Sequence, residues 1–214
     1  MNPRRILSFF KRLDQTLNSA AEVIVVGASA GALMGHIRPS FDIDFEIRLK
    51  GAGAIAARNK LEKAIDTAAQ ASGVAVNYSE NVGGWSMISY LDYRRTAIFY
   101  QDVGKIKVKL IEPAYWTIGK MTRFLELDIQ DMLKIIRRKK VPAGRLIKIW
   151  ATAANASDFS LELGQFRDHV VCFLKHYARR LWGQSADPEK QIRFFLKTTQ
   201  SRSRESQRKS RKAK

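Results

Sequence analysis

Cysteine is almost missing from this chain, with Cys172 alone in 214 residues, which excludes an internal disulfide and a cysteine-rich zinc centre and suits a reducing cytosol. Long hydrophobic runs are missing too. The apolar residues near the N-terminus (Ile6, Leu7, Phe9, Phe10, Leu13, Leu17) are interrupted by Arg4, Arg5, Lys11, Arg12 and Asp14. That spacing reads as an amphipathic helix packed on the domain, not as a secretory leader or a membrane span. Acids are the third shortage: 20 Asp and Glu face 38 Lys and Arg, for a net charge of +18. Residues 201–214 hold seven bases and one acid, so +12 of that charge stays on the first 200 residues. A body this basic attracts polyanions, nucleic acid first among them. The plainer alternative is a solvated tail on a merely soluble domain.

What is present is enough to build a core, since 45% of the residues are apolar. The patterning predicts a mixed α/β (α+β) domain over 1–140, a helical extension over 141–200 and a disordered basic tail over 201–214. After the first helix, Glu22–Val26 reads as a buried strand and Ser29–His36 as a short helix. Asp42–Leu49 follows as a strand, with Ile43, Phe45, Ile47 and Leu49 on one face and Asp42, Asp44, Glu46 and Arg48 on the other. A helix is expected over Ile55–Ala71, strands over Val74–Tyr78 and, weakly, Met87–Leu91, and a hairpin pairing Thr96–Gln101 with Lys105–Ile111. Helices then start at Pro113, near Asp128 and at Pro142, and run over Leu161–Trp182 and Pro188–Lys197.

The chemistry concentrates in Val25-Val26-Gly27-Ala28-Ser29-Ala30-Gly31 and Ser40-Phe41-Asp42-Ile43-Asp44-Phe45-Glu46. An apolar strand enters a small-residue turn, and a second strand then opens with acids at alternate positions, so both carboxylates leave one face. Paired carboxylates suit a hard divalent cation, and a small turn at a helix start lets backbone amides approach a phosphate. The bland alternative is a pair of outward acids, salt-bridged to Lys107 or Lys109 on a neighbouring strand. Downstream, Lys120 and Arg123 lie one turn apart, and Asp128 and Asp131 follow at helical spacing. Asp128 suits a helix N-cap, with Asp131 close to the positive end of the same helix. His169, Cys172 and His176 fall at helix-packing spacing without the further ligands zinc needs. Trp116, Trp150 and Trp182 read as packing residues, and Trp85, beside two glycines, as the candidate for an exposed aromatic.

Gly27-Ala28, thirteen residues, then Asp42-Ile43-Asp44-Phe45 resembles the signature of the polymerase-β nucleotidyltransferase superfamily. The run from Glu112 to Arg123, closing with Asp128-Ile129-Gln130-Asp131, is similar to the second half of the AbiEii-like minimal nucleotidyltransferases, a group that includes bacterial toxins. The resemblance implies Mg²⁺ (or Mn²⁺) on Asp42 and Asp44, and a nucleoside triphosphate held by Gly27, Ala28, Ser29, Arg38 and Arg123. It further implies catalytic-site roles for Lys120, Asp131 and Asp128. The acceptor would be RNA, a tRNA end foremost, or a protein hydroxyl, and the setting a cytoplasmic toxin–antitoxin or phage-defence system with a cognate partner protein and no membrane. Two departures stand out: Ala28 occupies a usual Gly or Ser position, and Lys105, Lys107 and Lys109 fill the strand where relatives carry a third acid. A catalytically inactive nucleic-acid binder on the same fold is the rival expectation.

Overall fold

The computed structural model describes residues 2–35, 41–49 and 55–199, with side chains from residue 58 onward in the last segment. Among these residues the chain forms nine helices and one five-stranded mixed sheet. It divides into two compact units, Met1–Val82 with Asp92–Glu112, and Gly83–Leu91 with Pro113–Lys214. No helix among the described residues is long and apolar enough to cross a membrane.

The first unit begins with α1 (Pro3–Leu17), capped by the Asn2 side chain and opened by a proline whose missing N–H costs nothing there. Ile6, Phe9, Phe10, Leu13 and Leu17 recur at helical spacing and are all buried. Next come β1 (Ala21–Val25), α2 (Gly27–Leu33), β2 (Asp42–Leu49), α3 (Ile55–Ser72) and β3 (Ala75–Ser79), then the one-turn α4 (Tyr93–Thr96), β4 (Ile98–Val103) and β5 (Ile106–Leu110). The strands lie in the order β3-β2-β1-β5-β4. β1 runs antiparallel to β2 and parallel to β5, β2 runs parallel to β3, and the β4–β5 hairpin is antiparallel with an irregularity between Phe99 and Gln101.

This register sorts the side chains into two faces. Val23 lies opposite Ile47 and Val108, and Val25 opposite Phe45 and Leu110. Phe45 meets Phe9 and Phe10 of α1 at ring separations of 5.7 and 5.5 Å. The opposite face takes the alternate residues, which are mostly charged: Glu22 faces Arg48 and Lys107, and Asp44 faces Asn77. On that face Glu46 is buried and accepts hydrogen bonds from the Tyr93 hydroxyl, from Arg94 Nε (2.6 Å) and from the Val82 amide (3.2 Å). The Glu46 carboxylate holds the Arg94 guanidinium above its ordinary pKa.

The second unit is helical: α5 (Pro113–Arg123), α6 (Glu126–Arg138), α7 (Ala143–Ala156), α8 (Leu161–Trp182) and α9 (residues 188–199). Trp150 is buried against Phe173 and donates to the Thr117 hydroxyl at 2.9 Å. His169 stacks on Phe124 and bonds the Met121 carbonyl, which makes it a packing residue, as its spacing suggests. The weak strand expected over Met87–Leu91 is not a strand. The hydroxyls of Ser86 and Ser89 accept from the amides of Ile88 and Leu91, and Leu91 takes φ +55°. Local side-chain turns have replaced ladder pairing.

Candidate functional site

Asp42 and Asp44 open β2 and project from the polar face of the sheet, both half-exposed. Their carboxylates converge on one group. The Asn77 amide donates to Asp42 Oδ2 at 2.8 Å and to Asp44 Oδ1 at 3.0 Å. Asn77 reaches them because β3 pairs parallel to β2 with Asn77 directly opposite Asp44. Its alternate position on the third strand is visible in the sequence, but its place beside the two acids is set by the β2–β3 register.

Gly27 meets the same carboxylate from the other side. It takes φ +59°, and a Cβ there would lie 2.0 Å from Asp44 Oδ2. Only a glycine admits both that backbone angle and that approach. Ala28 is half-exposed beside it. Ser29 is different: it is fully buried, and its hydroxyl donates to the Val26 carbonyl (2.9 Å) and accepts from the Asp44 amide (3.2 Å). In place of the phosphate contact expected of it, the Ser29 hydroxyl ties α2 to β2. Arg38 lies outside the described residues.

The bland alternative paired Asp42 and Asp44 with lysines of the next strands. Lys109 instead bonds Glu22 on β1 at 2.8 Å. The register accounts for this, because β1 separates β5 from β2 and presents Glu22 to both. Lys109 therefore meets its counter-charge on β1, before β2.

The remaining expected residues belong to the second unit and gather into one buried cluster. Lys120 Nζ bonds Asp128 Oδ1 at 2.8 Å and Asp131 Oδ2 at 3.0 Å, and it sits 5.2 Å from the centre of the Trp116 ring. Arg123 adds two bonds to Asp128, from Nε at 3.1 Å and Nη2 at 2.8 Å. Lys120, Asp128 and Asp131 are all buried, whereas the Arg123 side chain is 59% exposed. The expected N-cap role of Asp128 is corrected here. α6 starts earlier, with Leu125 in extended conformation as its N-cap, and Asp128 becomes its third residue. Its carboxylate is drawn to two cations, and its position in the first turn still suits the helix dipole. With its ammonium held by two aspartates, Lys120 is a structural ion-pair partner in this conformation.

Two carboxylates brought together by a shared amide are the oxygen set a hard cation such as Mg²⁺ takes from a protein, the rest of its coordination coming from water and phosphate. Asp42 and Asp44 therefore fit the metal that the resemblance implies. Among the described residues no group of three or more His, Cys, Asp or Glu is placed to hold a metal ion. Neither Asp128 nor Asp131 is a free third acid, since both are bonded to Lys120. Set against protein-family models, curated proteins and solved structures, the chain matches none of them.

Proposed function

We propose that the chain is a nucleotidyltransferase whose reaction centre is Asp42 and Asp44. The observation that carries this reading is the convergence of the two carboxylates beside the Gly27 backbone. Mg²⁺ or Mn²⁺ bound there would supply neutralising charge for a nucleoside triphosphate. Gly27 lets the Asp44 carboxylate lie against the turn, a phosphate would approach at half-exposed Ala28 beside it, and Asn77 holds the two carboxylates in register. An acceptor hydroxyl attacks the α-phosphorus, a new phosphoester bond forms, the bond to the bridging oxygen breaks, and pyrophosphate leaves as the hydroxyl proton is released. The acceptor is RNA, a tRNA end foremost, or a protein hydroxyl. The biological setting proposed with it is toxin–antitoxin or phage defence, with a cognate partner protein.

The experiment incubates the protein with Mg²⁺ or Mn²⁺, each α-labelled nucleoside triphosphate and total tRNA. Label in the RNA or in the protein itself is expected, and it is lost in the Asp42→Ala, Asp44→Ala double variant. Absence of label with every nucleotide, or labelling that survives the double substitution, refutes the reading.

A second reading rests on a specific observation. The expected third-acid strand carries Lys107 and Lys109 on the polar face, and Lys109 is ion-paired to Glu22. A nucleotidyltransferase-like fold without chemistry that binds nucleic acid would bind RNA and label nothing.

A further inference from the structure

Two stretches of the second unit contain no acid at all. Residues 132–157 hold seven bases (Lys134, Arg137, Arg138, Lys139, Lys140, Arg145, Lys148), and residues 169–186 hold Lys175, Arg179 and Arg180. The fold brings their most basic parts together. Arg137 Nη2 donates to the Arg180 carbonyl at 3.1 Å, and Trp182 Nε1 donates to the Val141 carbonyl at 3.0 Å. The last turn of α6 and the residues after it (Arg137, Arg138, Lys139, Lys140) thus lie beside the last turn of α8 (Arg179, Arg180), all six exposed. The first acid after the second stretch, Asp187, is occupied: its carboxylate accepts from the Lys190 amide at the start of α9.

Helix ends attract cations for a local reason, the partial negative charge of the terminal carbonyls, roughly half an elementary charge per helix. Six cations at two helix ends exceed that need several-fold. Charge segregated in this way, on rigid helix ends with no acid interspersed, complements a polyanion with regularly spaced charges.

We infer that the joined C-terminal ends of α6 and α8 form a binding surface for the phosphodiester backbone of a nucleic acid. Arg137, Arg138, Lys139, Lys140, Arg179 and Arg180 neutralise its phosphates. The surface reads no base sequence, because its contacts are to phosphate. The assignment does not rest on chemistry at Asp42 and Asp44, and it holds whether or not the chain transfers nucleotides.

The test measures the affinity of the full chain for a fluorescent 30-nucleotide single-stranded RNA by anisotropy across a KCl series, with a DNA duplex of similar length as a second arm. Each phosphate contact contributes about 0.7 to the slope of log K against log [salt] on a single strand and about 0.9 on a duplex. The variant Lys139→Gln, Lys140→Gln, Arg179→Gln, Arg180→Gln should lower the slope by about 3 and weaken binding at 0.1 M KCl at least about tenfold. The equal-charge control Lys11→Gln, Arg12→Gln, Lys60→Gln, Lys63→Gln, at exposed positions of α1 and α3, should change the slope by less than about 1. Exchanging Lys and Arg at the four patch positions keeps the charge and should keep the slope.

Equal losses in the patch variant and the control would mean that only net charge acts, and the assignment falls. It falls equally if the patch variant binds RNA and duplex as tightly as the parent, or loses only binding to phosphatidylserine vesicles. Nucleotidyl transfer is read by label and this surface by the salt slope, so failure of one assay and failure of the other are distinguished.

Discussion

Gly27→Ala tests whether the turn and the acid pair are one structural object. Two costs can be worked from the geometry. At φ +59° an alanine enters the left-handed region, at about 1–2 kcal/mol. Its Cβ would lie 2.0 Å from Asp44 Oδ2 and 2.8 Å from Cγ, so the carboxylate must move by more than an ångström. Displacement of that kind in a packed place costs about 1–3 kcal/mol. Asp44 resists it, because its side chain is bonded to Asn77, its amide to Ser29 Oγ and its carbonyl to the Val26 amide.

The sum, about 2–5 kcal/mol, corresponds to a urea midpoint lower by about 1–2.5 M at an unchanged slope of about 2 kcal/mol per M. The decisive arm is the double variant Gly27→Ala, Asp44→Ala, which removes the atoms the new methyl group strikes. It should recover the steric part and keep only the backbone part, giving a coupling of about 1–3 kcal/mol between the two sites. If Gly27→Ala costs under about 1 kcal/mol, or if the two substitutions add without coupling, Gly27 and Asp44 are not packed as described.

Lys120→Met should destabilise the second unit by about 3–5 kcal/mol, because it leaves Asp128 and Asp131 buried without the shared ammonium; thermal melting should show a fall of roughly 10 °C, partly restored by adding Asp131→Asn. A loss under about 1 kcal/mol would show the cluster to be hydrated. Burial, with Glu62 and Asp66 adding to it, raises the Tyr78 phenol above its ordinary pKa of 10.0. Above pH 10 the unfolded chain therefore loses a proton that the folded chain keeps, and stability falls as pH rises. Tyr78→Phe should flatten that alkaline decline in denaturant midpoints measured from pH 9 to 11; an unaltered decline would remove Tyr78 as its source.

Strong periodicity was legible in advance. The alternation of β2 separated Ile43, Phe45 and Ile47, now all buried, from Asp42 and Asp44, and the long helix over Leu161–Trp182 has those bounds. What escaped depended on which side chains the fold buries and pairs. Asn77 gains its place from strand pairing, 35 residues from Asp42 and 33 from Asp44. The start of α6 moved to Glu126 because Asp128 has two cations to satisfy, and capping propensity is a weaker pull than a buried pair of charge-assisted bonds. Ser29 looked like a phosphate ligand because its type and position fit one. Its burial, decided by the packing of α2 on β2, assigns its hydroxyl to the backbone.

The distribution of charge on the sheet bears on the site more than the total of +18 does. On the polar face Glu22 draws Lys109 and Arg48, while Glu46 takes Arg94 and a longer contact from Arg48. These pairings hold three cations in the middle of the sheet. Asp42 and Asp44, at the start of β2, meet the Asn77 amide, which is neutral. An amide dipole orients two carboxylates but offsets their mutual repulsion far less than a cation does. Moving Lys109 to the acid pair would require breaking its bond to Glu22, and β1 stands between the two strands. The same register that lines β5 with lysines directs Lys109 to Glu22, so the basic strand and the acid pair coexist on one face. Among the described residues no third carboxylate joins Asp42 and Asp44, and nucleotide labelling decides whether two suffice.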